Sequence, residues 1–310
     1  MAAIYTLTLA PSLDSATQTP QIYPEGKLRC SAPHFEPGGG GINVARAIVH
    51  LGGEATALFP IGGATGEHLL TLLREERVAT DPLITSDWTR QNLHVHVSSS
   101  GEQYRFVMPG ASLSASEYQA LAQKALAVPA GSLLVISGSL PPGVSVSQFT
   151  SLIEKLIQAG VRCVVDSSGD ALSGAVQVGN IELVKPNQKE LSALVNRSLS
   201  RPDDVRQAAM ELVARGAARY VVVSLGPQGA LAVDAGQCIQ VVPPPMKSQS
   251  TVGAGDSMVG AMVLKLSQGA SLLDMARYGV AAGSAATLNQ GTRLCSAENT
   301  AAIYQYLCRQ

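Results

Sequence analysis

Charge is scarce in this sequence. Only 15% of its 310 residues are Asp, Glu, Lys or Arg, against about 25% in an ordinary soluble domain. The 22 basic and 23 acidic residues leave a formal net charge of -1. As whole-chain properties, that balance excludes both a polybasic nucleic-acid surface and an acidic disordered tail. Cysteines are few and dispersed: Cys30, Cys163, Cys238, Cys295 and Cys308, with no C-x-x-C pair. All five histidines (His34, His50, His68, His94, His96) fall in the first third. Structural zinc draws its ligands from close local pairs, so none is expected, and an odd, scattered set of thiols fits a reducing cytoplasm. No Lys or Arg precedes Lys27, so the basic start of a secretory leader is missing. No apolar run approaches the ~20 residues of a membrane span. The expectation is a soluble, cytoplasmic protein with neither nucleic-acid nor membrane partners.

What the chain does have is glycine, 30 of them, and 46% hydrophobic residues, enough to bury a substantial core. Short apolar runs alternate with helical patterns. Strands are predicted at Ile4–Ala10, Ala55–Ile61, Leu133–Ser137, Val161–Asp166, Glu182–Val184 and Tyr220–Ser224. Helices are predicted at Asn43–Leu51, Glu67–Glu76, Ser116–Leu126, Ser147–Ala159 and Asp203–Arg215, with a largely helical region from Gly253 that ends in Asn299–Leu307. Strands rich in Val, Ile and Leu, separated by helices, predict an α/β fold with a mostly parallel sheet covered on both faces. No repeat or linker divides the chain, so residues 1–310 read as one domain.

Two stretches break that rhythm. Gln91–Val97 and Gln103–Met108 flank Ser-Ser-Ser-Gly and alternate in period two, placing Leu93, Val95, Val97, Tyr104, Phe106 and Met108 on one face of an antiparallel hairpin. Gln21–Phe35 is a further strand candidate. Together they predict a small sheet protruding from the main body. A sheet with one apolar face needs cover, either from its own domain or, if it serves as a lid, from the lid of a second subunit.

The strongest local signal is Ser250-Thr251-Val252-Gly253-Ala254-Gly255-Asp256-Ser257-Met258, which opens an apolar helix. A glycine-rich helix start leaves unpaired N–H groups pointing outward at the positive end of the helix dipole, an anion hole. An acid there is a helix cap, or it is a general base beside oxyanion donors, the pairing that phosphoryl transfer requires. The second signal is Pro37-Gly38-Gly39-Gly40-Gly41-Ile42-Asn43-Val44-Ala45-Arg46. It is neither a Walker A motif nor G-x-G-x-x-G. Its glycines permit close approach of a ligand, and Asn43 satisfies backbone or binds hydroxyls.

These two motifs, in this order and about two hundred residues apart, resemble the two signatures of the ribokinase/PfkB sugar kinase family. Pro11-Ser12-Leu13-Asp14, Gly138-Ser139-Leu140-Pro141-Pro142-Gly143, Lys185-Pro186-Asn187-Gln188-Lys189-Glu190 and Ser224-Leu225-Gly226-Pro227-Gln228-Gly229 fall between or before them in the family's order. The resemblance covers essentially the whole chain, and the run of four glycines before Ile42 and Asn43 is similar to the phosphosugar branch. It implies a ribokinase-like doubly wound sheet with a β lid, a homodimer through that lid, and ATP-dependent phosphorylation of a phosphosugar. Fructose 6-phosphate at C1 is the first substrate implied, with tagatose 6-phosphate kinase and 1-phosphofructokinase activities as alternatives. A non-catalytic nucleotide or sugar-phosphate binding regulator is the reading from a different class.

By the same resemblance, Asp256 is the base, and Gly253, Ala254 and Gly255 form the hole for the γ-phosphate. Ser12, Asp14, Gly39, Gly40, Asn43 and Asn92 hold the sugar. Lys27, Arg29, Arg90, Arg105 and Ser139 are candidates for the 6-phosphate site, where an Arg fork suits the anion. Lys185, Asn187, Ser224, Gly226, Gly229, Ser248, Thr251, Val280 and Ser284 fall to the nucleotide. Glu190 organises Mg²⁺, although Asn187 and Glu190 also have the spacing of a capping box. Ser250, Val252, Ala286, Asn289, Gly291 and Arg293 are candidates for a monovalent cation such as K⁺. At Ser250 the chain departs from the Asp that many members carry.

Overall fold

The computed structural model of the chain describes residues 1–289, 291 and 293–310. The strands, in chain order, are β1 (Ile4–Leu7), β2 (Ser12–Thr19), β3 (His34–Gly38), β4 (Thr56–Ile61), β5 (Ala79–Ile84), β6 (Arg90–Val97) and β7 (Gln103–Phe106). They continue with β8 (Leu133–Ser137), β9 (Arg162–Asp166), β10 (Ile181–Val184), β11 (Ala218–Ser224), β12 (Ala230–Val233) and β13 (Cys238–Val241). The helices are α1 (Gly40–His50), α2 (Gly63–Glu75), α3 (Ala115–Leu126), α4 (Val146–Gln158) and α5 (Gly169–Val178). After them come α6 (Gln188–Leu194), α7 (Pro202–Ala214), α8 (Ala254–Ser267), α9 (Leu272–Thr287) and α10 (Ala297–Cys308).

Local sequence explains why these segments take these forms. In β8 every residue of Leu-Leu-Val-Ile-Ser is buried, as expected for a strand covered on both faces. In α4 the buried residues are Phe149, Leu152, Ile153 and Leu156, a stripe at spacings of three and four. Each such burial contributes roughly 1.5–3 kcal/mol. A reciprocal cap starts that helix: Gln148 N donates to Ser145 Oγ at 3.2 Å, and Ser145 N donates to Gln148 Oε1 at 2.9 Å.

The large sheet runs β13-β12-β11-β10-β9-β8-β1-β4-β5. From β5 to β11 all neighbours are parallel, and β12 and β13 extend the edge antiparallel. One face packs Ile42, Phe59, Val259, Met262 and Val280, contributed chiefly by α1, α8 and α9. The other packs Leu121, Phe149, Leu172 and Leu212, from α3, α4, α5 and α7. At its far end α8 is tied to its neighbours: Lys265 Nζ lies 3.0 Å from Asp274 and between the rings of Tyr278 and Tyr304, at 4.9 and 4.8 Å. Strand order reverses at β1, with β4 on one side and β8 on the other. Ligands of open α/β sheets bind outside the carboxyl ends of the strands at such a reversal.

The second sheet has the order β3-β2-β6-β7. Its hairpin β6–β7 is antiparallel as predicted, but β7 ends at Phe106 rather than Met108. Two corrections concern this sheet. The strand expected over Gln21–Phe35 begins only at His34 and extends to Gly38, because Pro24, Glu25 (φ 58) and Gly26 turn the chain and Pro33 interrupts it. The strand expected over Ile4–Ala10 stops at Leu7, and a new one, β2, starts at Ser12. Its sequence, Ser-Leu-Asp-Ser-Ala-Thr-Gln-Thr, carries almost no apolar alternation. Its pairing comes from outside: a parallel register with β6 from Ser12↔Arg90 to Thr19↔Val97, and an antiparallel one with β3. The edge strand β5, which carries Pro82 in register with Phe59, and the four-residue β12 and β13 show no clear periodicity either.

Candidate active site

The chemistry gathers at the reversal. Asp14 lies beyond β1, Ser139 follows β8, Asp166 ends β9, Lys185 follows β10 and Ser224 ends β11. Parallel strands thus deliver five polar side chains to one rim, and α8 brings its first turn to meet them.

Gly253, the residue before α8, has φ 72 and ψ -3. That left-handed conformation strains any side chain but glycine's. It turns the chain so that the first N–H groups of α8 face outward, unpaired within the helix. Asp256 sits in this first turn, and its Oδ2 accepts a hydrogen bond from Asn43 Nδ2 at 2.9 Å. Burial pushes the Asp256 carboxyl up to about 6, and the negative charge of Asp166 adds to the rise. Asn43, Lys185 and Arg46 work in the opposite sense. A carboxylate so placed is ionised at neutral pH yet basic enough to take a hydroxyl proton. Lys185 Nζ lies 3.2 Å from Asp166 Oδ1. Burial disfavours its charge, but Asp166 outweighs burial and holds its pKa above the ordinary value. A Cβ on Gly255 would lie 3.5 Å from Lys185 Nζ, so the ammonium stands directly over the anion hole.

Asp14 belongs to the small sheet. Its Oδ1 accepts from Ser12 Oγ at 2.7 Å and from Asn92 Nδ2 at 2.8 Å. Asn92 Oδ1 in turn accepts from Met108 N at 3.0 Å. The glycine loop reaches the body's rim at Gly40, where a Cβ would meet Gly138 N at 2.8 Å. Gly40 is thereby held against the loop that carries Ser139, and Gly39 (φ 114) against Thr8 and Pro11. Arg90 spans the two sheets' junction, donating from Nη2 to Ala10 O at 3.0 Å and from Nη1 to Met108 O at 2.8 Å. Its Nε is buried without a hydrogen-bond partner among the described residues, and burial lowers its pKa while Asp14 raises it.

On the other side, Asn187 and Glu190 form the reciprocal cap of α6: Asn187 N donates to Glu190 Oε2 at 2.8 Å and Glu190 N to Asn187 Oδ1 at 2.9 Å. Asn187 also bridges to Ser224, and Gly226 and Gly229 bracket the short 3-10 turn that follows. A groove of about 760 Å³ is lined by Asn187, Ser224 and Gly226. Ser248 and Thr251 stand exposed on the approach to α8, whereas Ser284 is half-buried and Val280 buried on α9. The approach loop and the loop after α9 are sewn together by Ser250. Its Oγ donates to Gly291 O at 2.7 Å and accepts from Val252 N at 3.2 Å. Asn289 Nδ2 donates to Leu294 O at 2.7 Å, and Asn289 N to Ala286 O at 3.1 Å.

Three candidates stand apart. Lys27 and Arg29 are exposed on the loop between β2 and β3, and their side chains make no hydrogen bond or ion pair among the described residues. Arg105 instead lines a cavity of about 630 Å³ beneath the small sheet, together with His94, Glu36, Val252, Gly291 and Arg293. Asp166 and Arg46 join the site although no sequence motif assigns them to it. The signal for Asp166 was an acid closing an apolar strand of a parallel sheet. For Arg46 it was a lone cation on an otherwise apolar helix, three residues after Asn43.

A family model described as pfkB family carbohydrate kinase matches residues 7–299. The ATP-dependent 6-phosphofructokinase isozyme 2 of Escherichia coli K12 is 71% identical over 309 residues, covering 100% of both chains. The crystal structure of the Escherichia coli phosphofructokinase-2 in complex with potassium superposes with a TM-score of 0.98 at 70% identity, covering 100% of both chains. The Escherichia coli enzyme in complex with fructose 6-phosphate gives a TM-score of 0.96 at 69% identity, again over 100% of both chains.

Proposed function

The chain belongs to the pfkB family of carbohydrate kinases, and from that premise we propose that it transfers the γ-phosphoryl group of ATP to the C1 hydroxyl of fructose 6-phosphate. The observation that carries this reading is the meeting of Asp256 with the open first turn of α8, Lys185 and, through Asn43, the helix that follows the glycine loop. Asp256 takes the proton of the C1 hydroxyl as the C1 oxygen bonds to the γ-phosphorus, and the bond from that phosphorus to the ADP oxygen breaks. The N–H groups of Gly253, Ala254 and Gly255 receive the charge on the migrating group, and Lys185 adds a cation. Asp14, with its Oδ1 fixed by Ser12 and Asn92 and its Oδ2 left to accept, orients the sugar hydroxyls.

The residues present fit the two metal ions such a reaction employs. Glu190 spends one carboxylate oxygen on its helix cap and keeps the other for the hydration shell of Mg²⁺, which binds through few carboxylates and the substrate phosphates. The loops around Ser250, Val252, Ala286, Asn289, Gly291 and Arg293 offer neutral oxygens, a donor set suited to a monovalent cation such as K⁺. Ser250, already bonded to Gly291 O, takes the place of a carboxylate there. When bound, the ions neutralise phosphate charge beside the anion hole.

An ADP-release assay over a panel of phosphosugars tests the reading. Turnover is expected to be greatest with fructose 6-phosphate, and a clear preference for fructose 1-phosphate or tagatose 6-phosphate would overturn the substrate assignment. In the same assay Arg90→Ala is expected to raise the KM for the phosphosugar by about tenfold, with the KM for ATP little changed. An unaltered sugar KM would remove Arg90 from the phosphate site. The small sheet exposes Tyr104 and Phe106 at 39 and 47%, and Met108 just beyond it at 46%, an apolar face that a second copy's sheet would cover. A homodimer through this face should therefore sediment as such at micromolar concentration, and a monomer would exclude it.

A further inference from the structure

Arg46 is a charged residue that the mechanism above does not use. It is only 3% exposed, and its contacts tie the glycine loop and Asn43 to Glu76, just after α2. Its Nε and Nη2 donate to the two carboxylate oxygens of Glu76, at 2.8 and 2.7 Å. Nη1 donates to Pro37 O at 2.8 Å, where the glycine loop begins, and to Asn43 Oδ1 at 3.3 Å. Glu36 stands 3.9 Å away, and His50 Nε2 approaches Glu76 Oε2 at 3.3 Å. Paired this way by a planar fork, the guanidinium has one orientation.

That orientation matters because Asn43 has two. Its amide could present either oxygen or nitrogen to Asp256, and only nitrogen attracts a carboxylate. A guanidinium has donors and no acceptor. It accepts the company of Oδ1 and repels the NH₂ group, so Nδ2 is left facing Asp256. We propose that Arg46 is a positioning residue, whose buried guanidinium fixes the amide of Asn43 so that Asp256 is held in place by a donor and stays ionised. This rests on the kinase reading, in which Asp256 is the base. The groups facing Asp256 are Asn43 and Arg46 from α1, Asp166 from β9 and Lys185 after β10. Of these, Asn43, Lys185 and Arg46 favour its charged form and Asp166 opposes it.

The test is a double-mutant cycle of Arg46→Met and Asn43→Ala, with Arg46→Lys alongside, read as kcat, both KM values and the pH profile of kcat. Arg46→Met is expected to lower kcat by about 10- to 100-fold and to move the acidic limb to higher pH, with the KM for ATP unchanged. In the Asn43→Ala background the same change should cost less than about threefold, since the group it positions is gone. Arg46→Lys keeps the charge and loses the fork; it should recover part of kcat and part of the pH shift. If Arg46→Met does not fold, Arg46→Lys decides: a parental kcat and an unmoved limb overturn the proposal. So do fully multiplicative losses with an unmoved limb, which would mean that Arg46 only supports the fold. The parent is assayed on fructose 6-phosphate in parallel. A parent inactive on that sugar would count against the substrate assignment, and the cycle would then be run on the panel sugar it does use.

Discussion

Asp256→Asn is expected to lower kcat by at least ~10²-fold and, at neutral pH, to raise the melting temperature. The two effects share one cause. The substitution keeps shape and keeps an oxygen to accept from Asn43 Nδ2, but it removes the only group in the first turn of α8 able to take the hydroxyl proton. It also removes a charge that the fold holds at a cost. The ordinary Asp value is 3.8, while in the folded protein burial and Asp166 hold Asp256 at about 6. The folded state therefore binds this proton more tightly than the unfolded chain does. Stability from this group is fully present below pH ~4 and is lost as the pH rises through 6. The parent's kcat/KM should climb along an acidic limb centred near pH 6, and its Tm should fall short of that of Asp256→Asn by more at pH 8 than at pH 4. An active Asp256→Asn protein would refute the base assignment. An inactive protein with lowered Tm at pH 8 would mean that the carboxylate stabilises the fold.

Lys185→Met is expected to produce the largest loss of stability. The side chains of Lys185 and Asp166 are 9 and 15% exposed, and removing one partner of a buried pair costs about 3–5 kcal/mol because the other charge is left uncompensated. Here the loss falls on two carboxylates, since Lys185 also offsets the charge of Asp256. Denaturant melts of parent and variant at pH 5 and pH 8 measure it. The deficit should be greater at pH 8, because protonation of Asp256 at pH 5 relieves the crowding. The variant's acidic limb in kcat should lie above the parent's. Equal deficits at both pH values would point to lost packing rather than charge.

Much of this site was legible because glycine and acid in fixed local patterns report directly on backbone geometry. Gly253-Ala254-Gly255-Asp256 specifies an outward-facing helix start whatever surrounds it, and the reciprocal cap of Asn187 and Glu190 follows from their spacing alone. The β6–β7 hairpin was equally visible, since one strand's alternation faces the other's across a short turn. The strand β2 was hidden because its register is imposed by β6 and β3, seventy-eight residues beyond Asp14 in the case of Asn92. Arg46, Glu76 and Asp166 escaped for the same reason: each acquires meaning from a partner in another element. A local pattern cannot tell a buried Arg that orients an amide from one that merely ends a salt bridge.

The reversal of strand order at β1 has a consequence for how the molecule tolerates change. The catalytic groups proposed for the large sheet lie at its carboxyl rim, and among the described residues the opposite rim carries connections. There the chain turns from helix into strand at Gly52–Gly53, Gly131, Gly160, Asn180 and Gly216, short corners that touch no substrate residue. The lower edge of the slab thus answers for durability, and the upper edge for chemistry and durability together. Substitutions accumulating at the lower edge alter how long the protein lasts, whereas those at the upper edge alter what it does and how long it lasts.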